Sequence, residues 1–291
     1  MIISRYLNEN KILRKMDLNN NVNLLKLRSL NIQKRFLKMY FDANAGHVGS
    51  SLSCVDILTF IFFKLFDLQD EFILSKGHAA ASLYSSLCEY GLIEEEQLDS
   101  FYKNNTYFSA HPPPNKLPKI PFATGSLGHG LSLSAGLSFG FKLRNLNNKV
   151  FCVTSDGELN EGSTWEAALF IQQHKLTNLL WFIDRNKLQG FGKTEEILRL
   201  DLLNDKLVSF GFDVYEVDGH DFKMFLELPI EFSKYNKPVV IICNTIKGKG
   251  WLKLENTVAS HYLPFEKEEY QSFIERIDDE IEELKSKINE K

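Results

Sequence analysis

Along this chain, runs of consecutive apolar residues alternate with segments whose apolar positions recur every three or four residues, and the two patterns predict different elements. Asn23 to Ala45 carries Leu24, Leu25, Leu27, Leu30, Ile32, Phe36, Leu37 and Tyr40 at helical spacing. Gly46-His-Val-Gly-Ser-Ser51 reads as a loop, with a serine cap ahead of a helix from Cys54 to Leu65. Glu71 to Leu74 reads as a short strand, and Ala79 to Tyr90 as a helix stopped by Gly91. Residues 103–122 hold five of the eight prolines and predict an extended loop. Gly125-Ser-Leu-Gly-His-Gly130 leads into a helix of small residues, Leu131 to Arg144. Two strongly apolar stretches follow, Lys149 to Gly157 and Asn178 to Asn186, joined by helical spacing from Ser163 to Lys175. Beyond them the pattern predicts a helix over 201–210, a strand over 212–217, a helix over 222–235 and a buried strand over 238–245. The tail from Lys267, dense in Glu and Lys, has the spacing of a surface helix.

This alternation implies an α/β fold, doubly wound, with a mainly parallel sheet and helices on both faces. No linker composition interrupts it. The expected organisation is a body over 23–265, an N-terminal arm over 1–22 and a C-terminal surface helix over 266–291.

Composition narrows the function classes. The chain has 291 residues, 44% of them hydrophobic, which is enough for a sizeable core. Net charge is −4 and the Lys and Arg residues are scattered, so nucleic-acid binding is not the expected role. Cys54, Cys88, Cys152 and Cys243 lack metal-type spacing and sit in apolar surroundings, as thiols do in a reducing cytosol. A cytoplasmic location follows as the expectation. The N-terminus meets charge too soon for a signal peptide, and no stretch of ~18 uncharged apolar residues predicts a membrane span.

The chemistry concentrates at Asp156 and Asn186, each at the exit of a buried apolar stretch. Two strands joined by one helix form a parallel crossover, so both exits emerge at the same sheet edge. A carboxylate and an amide oxygen there suit a hard divalent cation such as Mg²⁺, with Ca²⁺ or Mn²⁺ as substitutes. Ligands bind at that carboxyl edge in open α/β sheets. Gly157 lets a backbone N–H approach a phosphate closely, so a metal-bound diphosphate is the expected guest. Glu158 and Glu161 follow; the plainer reading of both is favourable charge at a helix N-terminus. The loop of Gly125, Ser126 and Leu127 is a weak signal alone and becomes a phosphate-side loop beside this pair.

Six of the seven histidines fall in polar loops: His47, His78, His111, His129, His220 and His261. Histidine binds phosphate, orients hydroxyls and moves protons near neutral pH. His174 sits in helical surroundings and reads as a surface residue.

Taken in order, Gly46-His-Val-Gly-Ser50, Ser75-Lys-Gly-His78, His111-Pro112, Thr124-Gly-Ser-Leu-Gly-His-Gly130, Ser155-Asp-Gly-Glu-Leu-Asn-Glu-Gly162, Asp184-Arg-Asn186, Gly219-His-Asp221, Thr245-Ile-Lys-Gly-Lys-Gly250 and Ala259-Ser-His261 resemble the thiamine-diphosphate enzymes of the transketolase family. The resemblance covers residues 25–265 and is to the N-terminal, diphosphate-binding half. It implies thiamine diphosphate and Mg²⁺ as cofactors, with Asp156, Asn186 and the Leu188 carbonyl as metal ligands and the Gly157 backbone at the diphosphate. Glu158 falls in the same cofactor-side motif. The resemblance places His78 and His261 near the diphosphate and the reacting carbons, and His47 and His111 on donor hydroxyls. Lys247 falls in a loop reaching toward phosphate, and Glu161 matches a glutamate at a subunit interface that couples two active sites. Ser155, Val48, His129 and Lys187 depart from the family pattern.

Family chains are more than twice this long, and the tail is too short for their pyrimidine-binding domain. The resemblance therefore implies the N-terminal subunit of a split enzyme, paired with a separate pyrimidine-binding C-terminal subunit in an α2β2 heterotetramer and acting on sugars. A specialised enzyme making an unusual sugar, a non-catalytic cofactor-binding module and the α-subunit of a 2-oxo acid dehydrogenase are the alternatives.

Overall fold

A computed structural model describes residues 21–231 and 234–289; the expected arm over 1–22 lies almost wholly outside them. In chain order the elements are α1 (Val22–Ala43), α2 (Val48–Phe60), β1 (Glu71–Leu74), α3 (Ala80–Tyr90), α4 (Glu95–Leu98), α5 (Gly130–Leu143), β2 (Val150–Ser155), α6 (Gly162–Gln173) and β3 (Leu179–Arg185). They continue with β4 (Leu188–Gln189), β5 (Gly192–Lys193), α7 (Thr194–Ile197), α8 (Leu203–Ser209), β6 (Asp213–Asp218), α9 (Phe222–Glu227), β7 (Val239–Asn244), α10 (Ala259–Tyr262) and α11 (Lys267–Asn289).

Five strands form one parallel sheet in the order β1-β2-β3-β7-β6. Register sets Ser155 beside Asp184, so the two exits carrying Asp156 and Asn186 are adjacent. The continuous apolar runs are explained by burial on both faces. Alternate residues divide between two cores: Phe151, Val153, Phe182 and Ile241 face α1, α2 and α3. Cys152, Trp181, Ile183 and Ile242 face α5, α6 and α8. Each such side chain contributes roughly 1.5–3 kcal/mol relative to exposure.

Several local expectations are corrected. The helix expected from Cys54 begins at Val48, and no serine caps it. His47, with φ of 71°, makes the turn, and Gly49, Ser50 and Ser51 are buried within the helix. Small side chains there admit close packing: a Cβ on Gly49 would lie 2.4 Å from Ser260 Oγ. The segment 48–65 is apolar and long enough to cross a membrane by composition, but 89% of it is buried in the core. The helix expected over 222–235 ends at Glu227, because Leu228 precedes Pro229 and is extended. The short helix α4, capped reciprocally by Glu94 and Gln97, and the β4–β5 hairpin were not anticipated.

In the tail helix α11 the charged face is exposed as expected. Its apolar stripe of Phe273, Ile277 and Ile281 is buried and joins the core formed with α1.

Candidate active site

Four predicted histidines meet in one cavity of about 260 Å³ at the carboxyl edge of the sheet. Ring centroids are 4.9 Å apart for His47 and His261, 5.3 Å for His78 and His261, and 5.7 Å for His47 and His78. His111 lies 6.2 Å from His47. They come from four segments: the turn before α2, the 3-10 turn after β1, the proline-rich loop, and α10. His47 is tied directly to α10, because its N–H donates to the His261 carbonyl at 2.9 Å. Gly46 must be glycine here, since a Cβ would sit 2.4 Å from the Tyr262 carbonyl oxygen.

Burial holds all four rings below the ordinary histidine range. His47 falls to about 4, by burial first and then His111 and Lys247. His261 falls to about 3, by burial and then Lys247. His78 lies well below its usual value and His111 is lowered, burial being the main cause in both. At neutral pH each ring is therefore neutral, with one N–H donor and one acceptor nitrogen. The cavity can position hydroxyls and carry protons without repelling a further cation.

Gly125, Leu127, Gly157, Asn186, Leu188 and Lys247 line the same cavity. Asp156 lies beneath, 2% exposed. Its carboxylate accepts the Lys187 N–H at 2.7 Å, the Gly157 N–H at 2.9 Å and the Thr194 hydroxyl at 3.1 Å. The Gly157 N–H expected at a phosphate is thus turned onto Asp156. Burial, then the charge of Asp184, pushes the Asp156 carboxyl up to about 6. Asn186 Oδ1 accepts the Leu188 N–H at 3.1 Å, and the Leu188 carbonyl accepts Lys247 Nζ at 3.1 Å.

Among the described residues no three His, Cys, Asp or Glu side chains cluster as a metal site. The donor set is instead one carboxylate with an amide and a carbonyl oxygen. It fits a hard cation that takes its remaining ligands from water and phosphate. A buried carboxylate with a disfavoured charge, beside a carbonyl that already attracts an ammonium, fits that cation as well. Burial and the nearby Lys76 lower Lys247 to about 8, which leaves it mostly charged at neutral pH and suited to an anionic ligand.

Lys187 and Ser155 bear on the departures from family pattern. Lys187 has φ of 65°, a left-handed conformation that explains why glycine or asparagine suits the position. Ser155 has no positive φ, so its side chain is accommodated.

Besides Asp156, three predicted residues do not line the cavity. Ser126 is exposed on the outer side of its loop. Glu158 is sealed below the loop, accepting the Ser75 hydroxyl and, at 2.9 Å, the Gly128 N–H. Burial raises it to about 7, and its Oε2 has no partner. Glu161 is exposed at the start of α6. His129 is exposed, and His174 packs between Phe139 and Phe170 at 4.6 and 4.3 Å.

Sequence reasoning overlooked two groups. Lys76 and Asp184 form an ion pair under the histidines, each with a fully buried side chain. Lys76 also donates to the Ser50 carbonyl at 3.0 Å, and Asp184 accepts the Ser53 hydroxyl at 2.6 Å and the Thr245 hydroxyl. Burial opposes charge on Asp184, but Lys76 and these donors outweigh it and hold the carboxyl below its usual range. The second group is the β4–β5 hairpin, whose Gln189, Gly190 and Phe191 border the cavity. Phe191 is 89% exposed at the mouth. Its flanking glycines, Gly190 and Gly192, were the available signal of a tight turn.

Comparison with known proteins agrees with this geometry. A family model described as "Transketolase, thiamine diphosphate binding domain" matches residues 31–280. An apulose-4-phosphate transketolase subunit from Phocaeicola vulgatus is 34% identical over 281 residues, covering 93% of this chain and 99% of that protein. A 6-deoxy-6-sulfo-D-fructose transketolase subunit from a Clostridium species is 34% identical over 260 residues, covering 86% of this chain and 94% of that protein. The solved transketolase of Campylobacter jejuni superposes with a TM-score of 0.79 at 26% identity. That match covers 92% of this chain and 49% of that one, so the chain spans about half the length of the solved relative. On the family match and the relatives together, the chain belongs to the transketolase family and carries its thiamine-diphosphate-binding domain.

Proposed function

We propose that this chain is the diphosphate-binding subunit of a two-chain transketolase-like enzyme that moves a two-carbon ketol unit from a ketose to an aldose. The observation that carries the reading is the convergence of His47, His78, His111 and His261 on one cavity with Asn186 and the Leu188 carbonyl, above Asp156. Asp156, Asn186 and the Leu188 carbonyl would hold Mg²⁺, and Lys247 would supply counter-charge to a diphosphate. Thiamine diphosphate, when bound, supplies the nucleophilic carbon and electron sink of the reaction. The neutral histidines orient donor hydroxyls and hold or accept their protons. The buried Lys76–Asp184 pair fixes the floor on which His78 sits.

Support for a separate partner comes from the relatives: two proteins named as transketolase subunits are covered over 99% and 94% of their lengths. The partner would contribute the pyrimidine-binding half, docking over the cavity mouth where Phe191 projects. Exposed Glu161 would meet a second copy of this chain, giving α2β2. The cytosol is the proposed location. The same relatives favour a modified sugar as donor, since one is named for apulose 4-phosphate and the other for 6-deoxy-6-sulfo-D-fructose.

The test is calorimetric titration of thiamine diphosphate into the chain with Mg²⁺ and with EDTA, followed by a donor panel, run on the chain mixed with a pyrimidine-binding transketolase subunit, that contains both modified sugars and an unmodified ketose phosphate. Metal-dependent binding supports the site. Equal heats with and without metal would overturn the metal-held diphosphate, and no turnover with any donor would leave a binding module as the better reading.

A further inference from the structure

We propose that His220 is a positioning residue for the cavity: it locks the loop that leaves β7 and carries Lys247. His220 lies outside the cavity, in the turn after β6, and its side chain is 3% exposed. Its Nδ1 lies 2.8 Å from Asp56 Oδ2, and Nε2 accepts the N–H of Ile246 at 3.0 Å. A backbone N–H can only donate, so Nε2 is the acceptor and the ring proton sits on Nδ1, directed at Asp56. The other Asp56 oxygen accepts the Ser29 hydroxyl at 2.5 Å. One continuous chain of hydrogen bonds therefore runs from α1 through α2 and the β6 turn to the residue before Lys247.

The loop is held residue by residue. The Thr245 hydroxyl donates to Asp184, Lys247 Nζ to the Leu188 carbonyl at 3.1 Å, and the Gly248 N–H to the Gly49 carbonyl at 3.0 Å. Between them, Ile246 is 38% exposed and contributes little apolar anchoring of its own. The hydrogen bond from its N–H to His220 fixes the backbone there. The turn bearing His220 also presses on this loop, since a Cβ on Gly219 would lie 2.5 Å from Thr245 Cγ2. Removing the ring frees the peptide that sets where Lys247 begins its reach toward Leu188.

The inference rests on Lys247 belonging to the cofactor cavity, and the test separates the two. His220→Gln places an amide oxygen near the Nε2 position and keeps an acceptor for Ile246. His220→Asn keeps a donor to Asp56 and loses Ile246, and His220→Ala loses both. Hydrogen–deuterium exchange of peptides spanning 244–250 reads the anchor, and calorimetry of thiamine diphosphate with Mg²⁺ reads its consequence. The Asn and Ala variants should exchange at Ile246, and release thiamine diphosphate, about tenfold more readily, the loss of one ordinary hydrogen bond, while Gln stays close to the parent. Equal behaviour of Gln and Asn, or unchanged exchange in both, would overturn the proposal. The Gln–Asn comparison decides the matter even where His220→Ala fails to fold. A parent protein that binds no thiamine diphosphate would defeat the functional reading and leave the exchange result to judge the anchor.

Discussion

Replacing Lys76 with Met removes one partner of an ion pair whose two side chains are both fully buried. Asp184 then keeps the Ser53 and Thr245 hydroxyls and a distant amide of Asn186 at 3.4 Å, but loses the ammonium paired directly with it. Uncompensated burial of a charge costs about 3–5 kcal/mol, and the remaining donors place Lys76→Met near the lower end. Asp184→Asn strands the Lys76 ammonium, which retains the Ser50 carbonyl and the Ser53 hydroxyl at 3.0 and 3.2 Å, at a similar cost. Combining Lys76→Met with Asp184→Leu removes both charges and should cost less than either single charge-stranding change. Urea denaturation followed by circular dichroism reads all three. The penalty of Lys76→Met also carries a pH signature. Lys76 now holds the Asp184 carboxyl down, so its charged form stabilises the fold above the unfolded carboxylate range and that contribution is lost on acidification. Without Lys76, burial raises the carboxyl, protonation relieves it, and the penalty shrinks as pH falls. A double substitution costing the sum of the singles, or a pH-independent penalty, would refute the reasoning.

Other changes probe the cavity. Because His47 falls to about 4 when folded, against an ordinary 6.5, its neutral form stabilises the fold above 6.5 and that stability is lost as pH falls toward 4. His47→Gln should flatten the stability–pH curve in that window, measured by thermal melts from pH 4 to 7. Lys187→Gly relieves the left-handed backbone and should raise stability by about 1 kcal/mol, seen as a higher melting temperature. Asp156→Ala should abolish the Mg²⁺-dependent part of thiamine diphosphate binding by calorimetry, because it removes the one carboxylate of the candidate metal site.

The sheet and the adjacency of Asp156 and Asn186 were legible because strands buried on both faces leave unbroken apolar runs, and one crossover helix brings their exits together. The Lys76–Asp184 pair was not, although both residues lie inside recognised motifs. The two charges are 108 positions apart, and only the pairing of β1, β2 and β3 brings their exits onto one floor. Gly46 to Ser53 misled local reasoning for a related reason. Glycine and serine signal turns, yet here their small size lets α2 begin early against the segment holding Ser260 to Tyr262. His220 looked like the cavity histidines in sequence, each following or preceding an element in a polar loop. It stands apart because β7 separates β6 from β3, so its exit lies beside the loop leaving β7 and its ring pairs with Asp56 instead of entering the cavity.

On the proposed function, this chain holds one half of a thiamine-diphosphate site and needs a second chain to act. The most direct measurement is ketol transfer by the purified chain alone and mixed with a pyrimidine-binding transketolase subunit, each with Mg²⁺ and thiamine diphosphate. Turnover by the mixture only is expected, saturating at equal amounts of the two chains. Turnover by this chain alone would contradict it.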